Sequence, residues 1–390
     1  MKKHHQVLII GAGPAGSAAA HTLARHGVDV GVIDKARFPR DKLCGGLLTL
    51  RSAQIYQRIF ARPWDAVIRH TAHGVKFLHQ GKVLNEVRDR SDLFFTRRLD
   101  FDHFLLEQAL EHGTHAYLDE SVVAIDTATK TCRLRSGGEI GYGTLIGADG
   151  VNSLVAKTLF GHAFDQRKVA FALELEVERA DYPERLDDPE IHFGLVRWGY
   201  GWVFPKQDTL TVGVGGIHAR NPEMKAIFES FLCARFGHLP AGKIKGHYLP
   251  FGDYRKVPGR GDVLLCGDAA GLVEPITGEG IAFAMQSGLY AAEAIIAAGN
   301  GPALPGYRRR YREITRDFDH ANRLRHLLFP EFCQRLFLKA LPKSETLPLK
   351  HLELMAGTLS YGDYSRHLLG RMVKRLSGAR LFRPAAGSGQ

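Results

Sequence analysis

The sequence predicts an α/β fold, in which a parallel-sheet domain is interrupted by an antiparallel sheet and followed by helices. Three observations predict it. Apolar runs typical of buried parallel strands lead into glycine-rich turns at residues 7–16 and 262–271. Between them, residues 165–250 alternate apolar and polar side chains as antiparallel strands do. After Gly306 the chain has helical spacing to about Leu381 and is rich in Arg and Leu.

The opening unit reads as a strand, a glycine-rich turn, a helix and a second strand. The first apolar run is Val7 to Ile10, and the second, Val28 to Ile33, ends at an acid. In such a unit the first glycine permits a tight turn, the second lets the backbone approach a pyrophosphate, and the third lets the helix pack closely. The helix N-terminus favours a phosphate, and the acid suits a ribose hydroxyl. The pattern favours a dinucleotide site over a ligand-free turn, with the predicted contacts Gly11, Gly13, Ala15, Gly16, Asp34 and Lys35.

Two further turns that combine glycine and an acid follow short apolar strands. Thr144 to Ala148 ends in a turn that is expected to support the dinucleotide from beneath. Asp262 to Cys266 leads through a second turn into a long helix. For a flavin dinucleotide, the acid of that turn suits a ribityl hydroxyl, and the helix N-terminus would stabilise the reduced ring at its N1/O2 edge. The alternative is a glycine-rich loop that only joins strand to helix. The predicted contacts from these turns are Asp149, Gly150, Gly267, Asp268, Pro275, Gly278, Gly280 and Ile281.

Composition and charge limit which partners and metal sites the protein is expected to have. The 390 residues carry a formal charge of +11, with an arginine-rich stretch from Arg308 to Arg325, so anionic partners fit. No zinc-finger, RNP-like or basic-arm pattern accompanies the charge, and nucleic acid is therefore discounted as a partner. Five scattered cysteines lack metal-ligand spacing, which indicates free thiols in a reducing compartment and no metal site.

Targeting and membrane signals are weak in this sequence. The apolar run at Val7 is too short for the core of a signal peptide. The most apolar segment, Ile281 to Ala298, contains Gln286, Ser287 and Glu293 and is predicted to be a buried helix rather than a membrane span. We therefore expect a cytoplasmic protein that acts as a monomer.

The order of these motifs resembles that of FAD oxidoreductases with the p-hydroxybenzoate-hydroxylase fold. The shared motifs are GxGxxG at 11–16, RxxFD at 98–102, GADG at 147–150 and GDAAG at 267–271. More narrowly, the Cys44-Gly45-Gly46 turn and the segments at 200–206 and 275–281 are similar to the CGG, YxWxFPK and PxxGEGI elements of the geranylgeranyl reductase family. The resemblance covers residues 1 to about 300 and is looser in the tail.

The resemblance implies a Rossmann-like FAD-binding domain with an inserted antiparallel β-sheet substrate domain and a helical C-terminal region. The FAD-binding domain is expected to be discontinuous, built from residues 1–75, 95–160 and 258–305. Within it, Arg98 is either a cation beside FAD or a solvated arginine at a helix start. The remaining assignments are residues 76–94 and 161–257 to the substrate domain, 306–383 to the helical region and 384–390 to a disordered tail.

The resemblance also implies tightly bound FAD and the reduction of carbon–carbon double bonds in a geranylgeranyl or polyprenyl chain on a lipid, quinone or carrier alcohol. Such an alkene needs a hydride from the flavin and a proton on the neighbouring carbon, in a dry apolar slot. Cys44, Gly45 and Gly46 are expected at the reacting centre. However, a thiol of ordinary pKa is a weak acid, and the residue type alone favours a buried structural cysteine. Two or three aromatic residues of the sheet domain should line the slot and the rest should be sheet core, from the candidates Phe171, Phe193, Tyr200, Trp202 and Phe204.

Two other functions stay open on the sequence alone. One is a flavin monooxygenase or halogenase acting on an aromatic or quinone ring, and the other is a non-catalytic flavin- and lipid-binding protein. The sequence WGYGW at 198–202 comes near the WxWxIP segment of halogenases without matching it. The electron donor is open between NAD(P)H, ferredoxin and a quinol. The basic stretch at 308–325 and the apolar stretch at 326–341 either rest on the anionic inner face of a membrane or form a solvated face and a packed helix.

Overall fold

A computed structural model of the chain describes residues 3–88, 91–182, 184–367 and 370. The strands in chain order are β1 (Lys3–Ile10), β2 (Val30–Asp34), β3 (Leu47–Leu48), β4 (Ile68–Ala72), β5 (Val75–His79), β6 (Lys82–Val87), β7 (Leu93–Thr96), β8 (His115–Leu118), β9 (Val122–Asp126), β10 (Thr131–Leu134), β11 (Glu139–Gly147), β12 (Ala170–Glu178), β13 (Glu190–Phe193), β14 (Gly199–Pro205), β15 (Thr209–Ile217), β16 (Lys245–Leu249), β17 (Gly259–Arg260) and β18 (Val263–Leu265). The α-helices are α1 (Pro14–Arg25), α2 (Leu50–Phe60), α3 (Arg98–Leu110), α4 (Leu154–Phe160), α5 (Met224–Phe236), α6 (Ile281–Ala298), α7 (Leu304–Leu328), α8 (Glu331–Ala340) and α9 (Thr346–Met355). Short 3-10 turns lie at Asp65–Val67, Arg179–Asp181, His218–Arg220, Gly267–Ala270 and Leu341–Lys343.

The first sheet brings the three predicted turns to one edge. Its order is β17-β18-β11-β1-β2-β8, and β1 pairs in parallel with both β2 and β11. Ile10 lies opposite both Ile33 and Gly147, and Gly147 lies opposite Leu265. The carboxyl ends of four neighbouring strands therefore meet, which is where α/β sheets bind ligands. This arrangement confirms the predicted fold class.

The strands from residue 115 to 134 join this sheet in two ways. β9 and β10 form an antiparallel hairpin. Residues 115–118 form β8, which extends the parallel sheet beside β2. Alternation of apolar and polar residues indicates a strand but does not choose its partner, and Asp119 turns the chain with a φ of 59°.

The second sheet has seven strands in the order β16-β12-β15-β14-β13-β5-β6. Its pairings are antiparallel except that β13 runs parallel to β5. One face packs on α5 through Met224, Phe228, Phe231 and Leu232. A small third sheet has three strands in the order β3-β7-β4. In the chain, β5 and β6 of the second sheet come between β4 and β7. The division of the chain into the predicted domain ranges stays a proposal.

The helices after residue 303 pack on both sheets. Tyr307, Tyr311 and Phe318 of α7 belong to the core of the parallel sheet. Leu341, with Leu347, Leu352 and Met355 of α9, packs with β5 and β14 of the second sheet. Residues 371–390 lie outside the described part of the chain, and so does the predicted disordered tail.

Helix α6 is the one helix in the described ranges that is long and apolar enough to cross a membrane. Within the protein, 72% of it is buried. It packs on α1 so closely that a Cβ added at Gly288 would lie 2.1 Å from the Ala15 carbonyl oxygen.

Candidate active site

A cleft of about 590 Å³ runs along the edge where the parallel strands end. Both carboxylate oxygens of Asp34 are engaged there by backbone, because Oδ2 accepts from Ala12 N at 2.8 Å and Oδ1 accepts from Ala36 N at 2.9 Å. Asp34 therefore fixes the glycine turn as well as lining the cleft. The cleft is lined by all three predicted turns, through Gly11, Gly13, Ala15, Asp34, Lys35, Asp149, Gly150, Gly267 and Asp268.

The three glycines of the first turn have different structural roles. Gly11 has a φ of +103°, and a Cβ there would lie 2.2 Å from the Ala148 carbonyl oxygen. A Cβ on Gly16 would lie 1.8 Å from the Gly11 carbonyl oxygen, so this residue packs behind the cleft. Gly13 faces the cleft and caps α1 without a side-chain hydrogen bond. The N-terminus of α1 is thus open to an anionic ligand.

The acids of the other two turns have local partners. Asp149 accepts hydrogen bonds from Ser153 Oγ at 2.5 Å and from the backbone N–H groups of Leu154 and Val155, so it caps α4. Burial raises the pKa of Asp149 above its ordinary value. Asp268 pairs with Lys42 at 3.5 Å, and both line the cleft.

A buried charge cluster closes the inner end of the cleft. Arg98 binds Asp102 through two hydrogen bonds of 2.6 and 2.7 Å, and Arg40 reaches the same carboxylate at 2.9 Å. Arg98 is only 6% exposed, so it is not a solvated arginine. Burial alone would raise the pKa of Asp102, but the two arginines outweigh it and lower that pKa.

An apolar cavity of about 190 Å³ adjoins the cleft. Its walls are the Cys44-Gly45-Gly46 turn, the aromatic side chains of β14 and the loop that precedes α6. It lies against the cleft, because the two spaces share the lining residues Pro14, Lys42, Leu43, Arg98, His247, Asp268 and Ala284.

The predicted aromatic walls divide into three groups. Tyr200, Trp202 and Phe204 line the apolar cavity. Phe193 lines a second cavity of about 40 Å³, which shares Tyr200, Thr277 and Met355 with the first. Phe171 lines neither, because it alternates to the opposite face of β12 and packs on Tyr248 with ring centroids 5.0 Å apart. Its neighbours Ala170 and Ala172 face the cavity instead.

The cysteine turn is held close to the second sheet. Gly46 has a φ of +75°, and a Cβ there would lie 2.0 Å from the Thr96 carbonyl oxygen. A Cβ at Gly45 would lie 2.8 Å from the ring of Phe204. Cys44 directly precedes these two glycines and lines the cavity, and its sulfur accepts from Gly46 N at 3.4 Å. Burial alone would lower the pKa of Arg98, but Asp102 and, to a lesser degree, Cys44 outweigh it and raise that pKa.

The loop before α6 is fixed from both sides. Glu279 accepts from Thr49 Oγ1 at 2.6 Å and from Arg51 Nη1 at 2.5 Å. The Tyr200 hydroxyl donates to the Thr277 carbonyl oxygen. Gly278, Gly280 and Ile281 line the apolar cavity, and α6 begins without a side-chain cap at Gly280. Pro275 is buried behind this loop and lines neither the cleft nor the cavity.

Two titratable residues of the site lie outside every motif. His247 of β16 lines both spaces, its Nε2 is buried without a hydrogen-bond partner among the described residues, and burial lowers its pKa to about 4. Glu174 of β12 is only 7% exposed, and burial raises its pKa to about 7. Alternation along β12 predicted solvent for the acidic side chains, and nothing in the sequence indicates that the cysteine turn covers Glu174.

The residues present fit an FAD molecule in this cleft. Arg40 Nη1 and His247 Nε2 are buried donors or acceptors without partners in the described ranges, and both residues line the cleft. Together with the open N-terminus of α1 they offer polar groups that an anionic dinucleotide would satisfy. The apolar cavity would then lie at the end of the cleft nearest α6.

Known proteins match this chain over most of its length. A family model described as an FAD binding domain matches residues 4–197. The menaquinone reductase of Mycolicibacterium smegmatis is 32% identical over 364 residues, which are 86% of this chain and 87% of that protein. The geranylgeranyl diphosphate reductase of a Synechocystis species is 28% identical over 329 residues, 77% of each chain.

Solved structures match the fold. A geranylgeranyl bacteriochlorophyll reductase-like protein from Thermoplasma acidophilum has a TM-score of 0.75 at 21% identity and covers 95% of this chain and 100% of its own. A flavin-dependent brominase has a TM-score of 0.72 at 22% identity and covers 97% and 100%. The matched FAD domain and the long sequence matches, found together with the three converging turns, show that the chain is an FAD-dependent oxidoreductase of the geranylgeranyl reductase family.

Proposed function

We propose that this protein is an FAD-dependent reductase that hydrogenates carbon–carbon double bonds of an isoprenoid chain on a lipid or quinone. The observation that carries the proposal is the apolar cavity that adjoins the dinucleotide cleft and is lined by the cysteine turn. A hydrocarbon chain gains from apolar walls, whereas a polar substrate would need buried hydrogen-bond partners. Two relatives are named menaquinone reductase and geranylgeranyl diphosphate reductase, and both names refer to molecules that carry prenyl chains.

The chain's residues would bind and orient the alkene. Reduced FAD supplies the hydride when it is bound. Tyr200, Trp202 and Phe204 exclude water from one side of the alkene, and the Cys44-Gly45-Gly46 turn forms the facing wall. Gly45 lets the turn pack directly against Phe204, because a Cβ at this position would lie 2.8 Å from the ring. Positioning of this kind supplies much of the rate enhancement in a reaction between two weakly activated partners.

A long prenyl chain would extend beyond the first cavity. Pockets for drug-sized ligands have volumes of roughly 300–1,000 Å³, so about 190 Å³ holds only part of such a chain. The second cavity continues past Tyr200 and Met355 to Phe337 of α8. The lining of the second cavity is mostly apolar, with Thr277, Gln334 and His351 as polar exceptions, and it reaches the end of α7 and α8.

The surface formed by the end of α7 and by α8 has the properties of a peripheral membrane contact. Leu327, Phe332 and Leu336 are 50%, 72% and 51% exposed. The exposed arginines of α7 lie within about a third of the helix circumference, and Leu327 lies in the same sector. They are Arg308, Arg309, Arg312, Arg316 and Arg323. Other parts of both stretches pack on the body, since Arg325, Leu338 and Leu341 are buried. We propose that this face docks on anionic lipid at the inner side of a membrane, so that the prenyl chain enters without crossing water.

Anaerobic photoreduction tests the reductase proposal. The flavin-loaded protein is reduced with light, then mixed with menaquinone or geranylgeranyl diphosphate, and the oxidised flavin spectrum is followed. With geranylgeranyl diphosphate we expect reoxidation and a product that has gained two hydrogens per bond reduced, while its fully saturated analogue gives no reoxidation. With menaquinone, whose ring can itself oxidise reduced flavin, the readout is the mass of the side chain after the ring is reoxidised. A protein that no prenyl alkene reoxidises would contradict the proposal. NAD(P)H and ferredoxin stay predicted donors, to be compared as reductants in place of light.

The membrane proposal has a separate test. Co-sedimentation with vesicles containing phosphatidylglycerol is expected at low salt and should weaken at moderate salt. Phe332→Asp should weaken vesicle binding at both low and moderate salt. The matched control is Val83→Asp, a change at an exposed apolar residue of β6, which should leave binding unchanged. Equal sedimentation of both variants would contradict a role for α8.

A halogenase or monooxygenase is the second candidate. The fold likeness to a brominase and the presence of Lys42 at the junction of cleft and cavity favour it. Lys42 is paired with Asp268, and Trp198, the first tryptophan of the halogenase-like segment, stacks on Phe329 outside the apolar cavity. Rapid reoxidation by oxygen with a hydroxylated or halogenated product would support this candidate instead.

A further inference from the structure

Arg325 is a buried cation without a carboxylate partner. It lies in the last turn of α7 and is only 7% exposed. Its Nη1 donates to the Phe251 carbonyl oxygen at 3.0 Å and to Asn322 Oδ1 at 3.3 Å. Its Nε is buried without a hydrogen-bond partner among the described residues, with none of whose carboxylates Arg325 forms an ion pair. A buried charge is normally paired, because an unpaired one is costly.

A second arginine lies against the same aromatic ring. The guanidinium of Arg220 lies 4.7 Å from the centre of the Trp198 ring, and that of Arg325 lies 5.2 Å from it. Arg220 is exposed, and it too forms no ion pair within the described ranges. Aromatic faces attract cations but do not neutralise them. We call Trp198, Arg220 and Arg325 the Trp198 cluster.

The charges around the cluster leave it positive. Burial lowers the pKa of Arg325 to about 10, and Arg220 adds to this decrease while Glu274 opposes it. Glu274 is committed elsewhere, because it accepts from the backbone N–H groups of Ile276 and Thr277 and from Thr277 Oγ1. An anion bound between the two arginines would supply the missing counter-charge.

The nearest surface acid is also committed to other partners. Glu331, at the start of α8, pairs with Arg197 at 3.6 Å and with Arg335 at 3.9 Å. His326 of α7 is exposed, and its ring centre lies 5.1 Å from that of Trp198. The surroundings of the cluster therefore offer an anion further donors and only one surface carboxylate.

The cluster adjoins both apolar cavities. Phe329 stacks on Trp198 with ring centres 5.9 Å apart and lines the second cavity. Phe251, whose ring centre lies 5.0 Å from the Arg325 guanidinium, lines the first. The exposed side chain of Leu327 follows on the outer side. Trp198 itself has a φ of 54°, a strained backbone of the kind that concentrates at ligand sites. This arrangement suits an amphiphile with an anionic head and a hydrocarbon chain.

We propose that the Trp198 cluster binds the phosphate or diphosphate head group of the prenyl substrate. This inference rests on the proposed reductase function. Arg220 and Arg325 would donate hydrogen bonds to phosphate oxygens, for which the planar guanidinium is well suited. The first prenyl units would then lie against Phe329 and enter the second cavity, while the alkene to be reduced lies in the first.

The cluster narrows the class of substrate. A quinone ring has no charge and would leave Arg325 without a counter-ion. The two kinds of substrate named by the relatives, a prenyl quinone and a prenyl diphosphate, are therefore not equivalent for this chain. The prenyl diphosphate supplies the anion that the buried guanidinium lacks.

Binding of inorganic pyrophosphate to the flavin-loaded protein tests the site without catalysis. Bound FAD fills the phosphate-binding part of the cleft, so calorimetry then reports other anion sites. We expect one site in the wild-type protein, about tenfold weaker in Arg220→Gln and weaker still in Arg325→Gln, because hydrogen bonds to charged groups are lost. Arg133→Gln, at an exposed arginine of β10 in the first sheet, should bind as the wild-type protein does.

Arg220 keeps the test independent of folding, since it is exposed whereas Arg325 is buried. Unchanged melting temperature and flavin spectrum would show that Arg220→Gln is folded. The absence of pyrophosphate binding by the wild-type protein would overturn the inference, and so would equal affinity of the wild-type protein and Arg220→Gln.

A comparison of geranylgeranyl diphosphate with geranylgeraniol is the second measurement. The wild-type protein should have a lower KM for the diphosphate. Arg220→Gln should raise that KM about tenfold and leave kcat unchanged, because the cluster lines neither the cleft nor the first cavity. The KM for the alcohol should stay the same in both proteins. Equal changes of KM for the diphosphate and the alcohol would indicate a structural role and overturn the inference.

Two further outcomes separate the sources of phosphate and the two proposals. If Arg220→Gln sediments less with phosphatidylglycerol vesicles but keeps its KM for the diphosphate, the cluster binds surrounding lipid and the assignment to substrate is wrong. If pyrophosphate binding depends on Arg220 but no prenyl alkene reoxidises the reduced flavin, the anion site stands and the proposed function fails.

Discussion

The dinucleotide cleft and the apolar cavity are adjacent but depend on different features of the chain. The cleft forms where the backbone of three turns meets at strand ends, with side chains such as Arg40 and Arg98 beside it. The cavity is enclosed by segments that are distant in sequence, from β12, β14, β15, β16, the cysteine turn, the loop before α6 and α9. The cleft should therefore be intolerant of an added Cβ, whereas the cavity should be sensitive to side-chain volume. Four substitutions test this difference, from the largest expected effect to the smallest.

Asp102→Asn breaks the charge cluster beneath the boundary of the two spaces. Removing one partner of a buried ion pair leaves Arg98 and Arg40 uncompensated, so we expect a loss of about 3–5 kcal/mol in the free energy of unfolding, measured with urea. The folded-state pKa of Asp102 is lowered, so its contribution is present above the unfolded pKa near 3.8 and is lost as the pH falls through the folded value. The variant should therefore lose less stability on acidification than the wild-type protein.

Asp100→Asn is the matched control on the same helix, because Asp100 pairs with the partly exposed Arg69. We expect a loss of at most about 1 kcal/mol. Equal losses of unfolding free energy for the two variants would mean that burial of the charge cluster does not increase its contribution to stability.

Gly11→Ala tests the backbone-built cleft. Both its φ of +103° and the close carbonyl oxygen of Ala148 oppose a methyl group, so we expect a loss of roughly 2–4 kcal/mol together with loss of bound flavin. Gly27→Ala separates the two causes, since Gly27 has a φ of +73° but no atom within 4 Å of an added Cβ. That control should cost about 1 kcal/mol and keep its flavin. Retention of flavin by Gly11→Ala would refute this account of the turn.

Gly45→Ala tests the cavity built from side chains. The methyl group would lie 2.8 Å from the ring of Phe204, which narrows the space for substrate. We expect kcat/KM for a prenyl substrate to fall about tenfold, a barrier change of about 1.4 kcal/mol, with an unchanged flavin spectrum. Gly138→Ala, where the nearest atom is 3.8 Å away, should leave both unchanged. Loss of flavin from Gly45→Ala would show that the two spaces are not separable.

Tyr200→Phe should have the smallest effect. It removes the hydrogen bond to the Thr277 carbonyl oxygen at the boundary of the two cavities, and we expect a loss of about 1 kcal/mol in thermal unfolding. KM should change more for long prenyl chains than for short ones, because only long chains pass this boundary. Tyr290→Phe, which loses a hydrogen bond with Gln286 on α6, should change stability alone. Equal changes in KM for long and short chains would contradict the path.

The same contrast explains what the sequence could predict. The three glycine turns were recognisable because strand, turn and helix start are consecutive in the chain, and each conformational demand falls on one glycine. Their convergence followed from the rule that parallel strands end at one edge. Tyr200, Trp202 and Phe204 were found through a motif on a single strand.

The remaining features depend on contacts between distant segments. Phe171 was misplaced because alternation gives two faces without saying which one meets the cavity. Glu174 alternates with apolar residues along its strand yet is buried, because the segment that covers it lies 130 residues earlier in the chain. His247 and Met355 have no local pattern at all, and only the packing of β16 and α9 brings them to the site.

Met355 has a consequence for how such enzymes diversify. It belongs to the C-terminal helices, where the likeness to known motifs is weakest, yet it lines both cavities. On the proposed function, a residue that limits the length of the bound prenyl chain is thus encoded far from the turns that bind FAD. Exchange of the last helices between relatives should alter which tails are accepted while the redox machinery is inherited intact.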